Sequence, residues 1–129
     1  MSWWRIRGEL LKLAHVSEPE YTAVLMQGSG TFGVESVLTS SVGENDCLLI
    51  LANGSYGKRM AEIAEHAGLH YHMEEFHYDQ IPDAGRVEEI LKEHPEITHV
   101  SMVHSETTSG ILNDIASVTK VVKMAGKTM

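Results

Sequence analysis

Apolar positions along this chain switch between two spacings, and the switches divide it into alternating helices and strands. Over residues 3–14 the apolar side chains Trp3, Ile6, Leu10 and Leu13 recur at helical spacing, with Arg5, Glu9 and Lys12 between them, which predicts an amphipathic helix. Residues 21–26 form a short apolar run that predicts a strand, ending in Gln27-Gly28-Ser29-Gly30-Thr31. A helix is expected over residues 32–40, with Val34, Val37 and Leu38 on one face. Residues 47–52 are wholly apolar, as in a strand covered on both faces. Asn53-Gly54 stops that run, and helical spacing returns over residues 56–67 through Met60, Ile63, Ala64 and Ala67. Gly68 is placed to close this helix.

Residues 69–76 predict a further strand, Leu69, Tyr71 and Met73 alternating with His70, His72 and Glu74. Asp83 is suited to cap a helix that runs to His94, with Val87, Ile90 and Leu91 inward and Pro95 ending it. Residues 97–104 read as a fourth strand, 105–113 as a loop and 114–125 as a last helix. Strand and helix in alternation predict an α/β fold, a mostly parallel sheet layered between crossover helices. A length of 129 residues suits a single domain with one modest core. Residues 126–129 fall where the next helix-to-strand turn is due, so they read either as a tail or as the edge of a domain whose next strand is missing.

Composition narrows the partners. Eighteen acidic against ten basic residues give a formal charge of −8, which repels a phosphate backbone or an anionic lipid surface. No apolar run approaches the roughly 18 residues that a spanning helix needs, so neither nucleic acid nor membrane is an expected partner. The basic residues among 1–7 lead into no apolar leader segment with a small-residue cleavage site. Cys47 is the only cysteine, which excludes an intrachain disulfide and fits a reducing, cytoplasmic setting.

Three polar segments follow predicted strands. Gly28-Ser29-Gly30-Thr31 stands where a strand hands over to a helix, a place that directs free N–H groups and the positive helix end toward an anion. It lacks the Gly-Lys-Ser/Thr ending of a Walker loop and the spacing of a dinucleotide fingerprint, and taken alone it reads first as a common glycine-rich turn with a Thr cap and no ligand. Asn53-Gly54-Ser55-Tyr56-Gly57 closes the second strand, where Tyr56 offers a flat apolar face or simply starts a helix. Lys58 and Arg59 follow in a first helical turn that disfavours cations, which suggests an acidic partner or a solvated surface. His104-Ser105-Glu106-Thr107-Thr108-Ser109-Gly110 holds more polar groups than a turn requires. All three segments are expected at the carboxyl edge of one sheet, where α/β folds bind ligands. His70 and His72, with Glu74 in line, share a strand face and so admit zinc, but no fourth ligand is evident and no metal is expected. Cys47 reads as a small core residue.

In these segments the chain resembles the class V aminotransferases, a branch of the fold-type-I pyridoxal-phosphate enzymes. The resemblance rests on residues 27–35, 53–60 and 104–112 in that order, and extends from about Tyr21 to the end. It implies that residues 1–129 are part of the large, cofactor-binding domain, with pyridoxal 5'-phosphate as cofactor. It further implies that Ser29, Gly30 and Thr31 hold the cofactor phosphate, Tyr56 stacks on the pyridine ring and Thr107 donates a hydrogen bond near the phenolic oxygen. Glu106 and Arg59 would have supporting roles. Thr31 after Ser29-Gly30 favours the phosphonate branch, in which a small-molecule amino donor, 2-aminoethylphosphonate, passes its amino group to pyruvate. Other class V types acting with glyoxylate or pyruvate, or a non-catalytic phosphate-binding or interaction module, are the alternatives. The family's aspartate at the pyridine nitrogen, its Schiff-base lysine and its small C-terminal domain have no counterpart among these residues, so no catalytic residue is assigned and the isolated chain is expected to be inactive. Family members build their sites at dimer interfaces, so a homodimer is implied for the parent enzyme.

Overall fold

The computed structural model describes residues 2–129, which fall into two compact units divided after Gly33. In the first unit, α1 (Trp3–Leu13) is capped by Ser2, whose hydroxyl accepts the Arg5 N–H. The strand expected over residues 21–26 does not form. Tyr21, Val24, Leu25 and Met26 are all exposed there, and the Ala23 carbonyl accepts from Arg7 Nε at 2.6 Å, a side chain in place of a neighbouring strand. A run of strand-forming residues becomes a strand only where a second backbone completes its ladder. α2 (Gly30–Ser41) has its first turn in the first unit and its remainder in the second.

The second unit is a three-layer α/β arrangement. β1 (Cys47–Ala52) lies between β2 (His70–Glu75) and β3 (His99–Met102), all parallel, in the order β2-β1-β3. Every residue of β1 is buried, as its unbroken apolar run requires. On one face Cys47, Leu49 and Leu51 pack with Val100 and with Val87, Ile90 and Leu91 of α4 (Ala84–Glu93). Val118 and Val122 of α5 (Ile115–Met124) complete that cluster. The other face packs Leu48 and Ile50 against Leu38 of α2, Val42, and Met60, Ala61, Ile63 and Ala64 of α3 (Ser55–His66). Burying each Leu or Ile of β1 stabilises the fold by about 1.5–3 kcal/mol before entropy is counted.

Three expectations shift on contact with this arrangement. Val34 and Val37 are exposed, leaving Leu38 as the buried residue of α2. Met73 is exposed because β2 is an outer strand, where one flank and part of each face lack a neighbour. Residues 105–113, expected as a loop, contain an antiparallel hairpin of β4 (Ser105–Glu106) and β5 (Ile111–Leu112), turned by Gly110 at φ +75°. At the far side of β3, Thr128 exchanges backbone hydrogen bonds with Thr98 and Val100, a parallel bridge where the alternation calls for another strand. Among the described residues no helix is long and apolar enough to cross a membrane.

Candidate functional site

The carboxyl ends of β1 and β3 carry a connected polar network. Asn53 and Asn113 are both 2% exposed and bind each other reciprocally, Asn53 Nδ2 to Asn113 Oδ1 at 2.8 Å and Asn113 Nδ2 to Asn53 Oδ1 at 3.1 Å. Their remaining amide protons go to the Gln80 and Val103 carbonyls, at 2.9 and 2.7 Å. Two buried amides thereby join the exits of both strands to the 77–80 loop. A buried polar pair holds a fold in this way only when each donor is matched, as here.

Glu106 is the centre of a second cluster. Its side chain is fully buried, and Oε2 accepts the Tyr56 N–H at 3.3 Å, in the first turn of α3. Oε1 accepts the Thr108 hydroxyl at 2.7 Å and the Thr108 N–H at 3.3 Å, and Thr108 Oγ1 in turn accepts the Ser55 N–H at 3.3 Å. The N-cap of α3 is Gly54, which has no side chain to offer, so a carboxylate about fifty residues away takes over the capping of orphan N–H groups. A negative charge at the positive end of a helix is favourable electrostatically as well. A Cβ at Gly54 would overlap Cγ and Cδ of Glu106, which explains the glycine. Gly57 is needed for a different close approach: its Cβ would lie 2.7 Å from Ala52 Cα. These two glycines seat the first turn of α3 directly on the end of β1.

Through Glu106 this scaffold ties the first turn of α3, which carries Tyr56, to the hairpin that carries Thr107. Tyr56, half exposed, projects from the turn that Glu106 caps, and Thr107 follows Glu106 in the exposed hairpin turn. Lys58 and Arg59, whose position raised the question of an acidic partner, are paired within the chain, Lys58 with Glu75 and Arg59 with Glu62, each at 2.6 Å. Both pairs are exposed and contribute little to stability.

Ser29, Gly30 and Thr31 lie in the first unit, at the start of α2. Ser29 rather than Thr31 caps this helix: its Oγ accepts the Phe32 N–H at 3.2 Å and its carbonyl the Gly33 N–H at 3.0 Å. A hydroxyl that accepts in this way still has its own proton to donate. Gly30 and Thr31 open the helix, where backbone N–H groups precede the first intrahelical bond, and Thr31 adds a hydroxyl. That donor set suits a phosphate monoester. Gly28 closes the turn against the ring of Phe32, which a Cβ would overlap.

The comparisons with known proteins agree with this architecture. No family model matches the chain. Over 97% of its length it superposes on 31% of the crystal structure of pyridoxamine–pyruvate aminotransferase from Mesorhizobium loti, with TM-score 0.86 and 30% identity. Over the superposed part the chain has the α/β fold of the fold-type-I aminotransferases. Within that class its sequence is similar to the 2-aminoethylphosphonate–pyruvate transaminases. It is 52% identical over 123 residues to the one from Lysinibacillus sphaericus and 47% identical over 123 residues to the one from Aeromonas hydrophila. Those alignments cover 95% and 94% of this chain but 34% and 32% of the relatives, so the chain spans about a third of their length.

Proposed function

We propose that residues 1–129 are part of the cofactor-binding domain of a pyridoxal-phosphate transaminase. Its parent reaction moves an amino group from 2-aminoethylphosphonate to pyruvate, giving phosphonoacetaldehyde and alanine. The observation that carries this reading is 52% identity along nearly the whole chain to a relative named for that reaction. The donor set at the start of α2 and the exposed Tyr56 ring suit the cofactor's phosphate and pyridine respectively.

Bound pyridoxal phosphate supplies a carbonyl that captures amines and a ring that accepts electrons. The chain's own residues bind and orient. Gly30 and Thr31 direct backbone N–H groups, and Ser29 and Thr31 hydroxyl protons, toward the phosphate. Tyr56 would lie against the pyridine ring, and the Thr107 hydroxyl would donate a hydrogen bond near the phenolic oxygen. Glu106 touches neither and acts as a positioning residue, holding the turn that carries Tyr56. We place the parent enzyme in the cytoplasm as a homodimer, and expect no transamination from this chain by itself.

Calorimetric titration of the purified chain with pyridoxal phosphate tests the reading, with pyridoxal as the phosphate-free control. One molecule should bind per chain, and Thr31→Ala and Tyr56→Ala should each weaken binding about tenfold, the scale of one charge-assisted hydrogen bond or one stacked ring. Equal affinity for pyridoxal would remove the phosphate role from Ser29, Gly30 and Thr31. Alanine formation from pyruvate by the isolated chain would contradict the expected inactivity.

A further inference from the structure

Away from the carboxyl ends of the strands, His72, His94 and Glu96 form a compact group of donors. His72 Nε2 and His94 Nδ1 approach the same Glu96 oxygen, at 3.1 and 3.0 Å, and all three ligand atoms lie within 4.8 Å of one another. The imidazole rings have centroids 4.5 Å apart. His72 comes from β2, while His94 ends α4 and Glu96 lies in the turn leading into β3, so two separate pieces of backbone fix the group. We propose that these three residues bind a divalent transition-metal ion of the zinc type. Bonds of about 2.0–2.2 Å to such an ion put neighbouring ligand atoms about 3.3–3.5 Å apart. The present separations need only a small side-chain adjustment to reach that spacing.

The chemistry of the donors selects the ion. Two imidazoles and one carboxylate suit zinc, nickel or copper, whereas calcium and magnesium require mostly oxygen ligands. Binding requires both histidines to turn their unprotonated nitrogens inward, each keeping its proton on the other ring nitrogen. All three side chains are 40–52% exposed, leaving room for an ion to enter and for water as a fourth ligand. The adjoining cleft, about 500 Å³, adds the carboxylates of Glu44 and Asp46 to attract a cation. Cys47 also lines the cleft but lies outside the group of three whose ligand atoms are within 4.8 Å of one another. The grouping of His70, His72 and Glu74 along one strand fails instead, since Glu74 is engaged by Arg86 Nε at 2.9 Å.

Titration of the chelator-treated chain with zinc chloride, followed by calorimetry, tests the site. One zinc per chain is expected, with affinity reduced at least about tenfold in His72→Ala, His94→Ala and Glu96→Gln, and unchanged in His66→Gln, which alters a histidine outside the group. Glu96→Gln preserves side-chain shape, and circular dichroism on each variant separates lost ligation from lost folding. Cobalt substitution should give the stronger visible absorption of a four-coordinate ion in the native chain and lose it in Glu96→Gln. No zinc binding, or binding that Glu96→Gln and His94→Ala leave intact, would overturn the proposal.

Discussion

The N-termini of α2 and α3 meet the same physical demand in opposite ways. Each follows a glycine-containing turn, and each exposes N–H groups that the helix itself does not satisfy. At α2 the answer is local and exposed: Ser29 accepts the Phe32 N–H three residues on. At α3 it is distant in sequence and buried: Gly54 contributes no side chain, and Glu106 and Thr108 supply the acceptors from the β4–β5 hairpin about fifty residues on. A local cap leaves the first N–H groups of its helix open to a ligand. A tertiary cap spends them on architecture and leaves the adjacent side chain, Tyr56, as the exposed group. The contrast fits the division of roles proposed above, with anion binding at one turn and ring stacking at the other.

The comparison breaks most severely at Glu106. Glu106→Ala would strand the N–H of Tyr56 and the hydroxyl of Thr108 and leave a void beneath Gly54, so we expect a loss of about 2–4 kcal/mol in urea unfolding. The effect should be non-additive with Thr108→Ala, since both residues serve one network. A loss below about 0.5 kcal/mol would mean that the carboxylate is dispensable and the capping account wrong.

Asn113→Ala comes next. It leaves the buried Asn53 amide and the Val103 carbonyl short of partners, for an expected cost of about 1–3 kcal/mol. Asn113→Asp is a sharper form, because a carboxylate cannot donate to Val103 O, and it should destabilise at least as much near neutral pH. A melting temperature unchanged in both variants would show that the amide pair is incidental to the fold.

How much of this was legible in the chain depended on range. β1 was visible because an unbroken run from Cys47 to Ala52 has few homes other than a strand covered on both faces, and its burial is complete. Asp83 as a cap was equally visible, since an acceptor at position i serves an N–H at i+3. The role of Glu106 was not. Sequence marks 104–110 as unusually polar, but nothing in it says that Glu106 turns inward to a helix fifty residues earlier, and Asn113 had no signal beyond a lone buried-capable amide. The same limit produced the strand expected over 21–26: residue preferences describe one chain, whereas a ladder needs two. Alternation grouped Met73 with Leu69 and Tyr71 but cannot tell a central strand from an outer one, and Met73 is exposed.

Ser29→Ala tests the local side of the comparison. Losing one exposed cap should cost about 0.5–2 kcal/mol, less than Glu106→Ala, and should speed amide exchange at Phe32 without altering exchange at Tyr56. Ser29→Asp should restore the cap but repel a phosphate, so stability and pyridoxal-phosphate affinity would move in opposite directions. Parallel movement of the two would show that the cap and the ligand donors cannot be separated at this turn.

Asp114 extends the comparison to a local cap that carries charge. At α5 its carboxylate accepts the Ser117 hydroxyl at 2.6 Å and the Ser117 N–H at 3.1 Å, and these bonds, the hydroxyl first, hold its carboxyl below the ordinary 3.8. A carboxyl whose pKa is lower folded than unfolded binds its proton more readily in the unfolded chain. Its stabilising contribution is therefore complete above the unfolded value and is lost as the pH falls through 3.8 toward the folded value. Asp114→Asn keeps an N-cap acceptor but has no proton to gain, so it should flatten the acid limb of the stability curve slightly while changing little at pH 7. Ser29→Ala, which removes an uncharged cap, should lower the curve by the same amount at every pH. An acid limb equally steep in Asp114→Asn and the native chain would assign the acid sensitivity to other carboxylates and leave the two kinds of local cap indistinguishable.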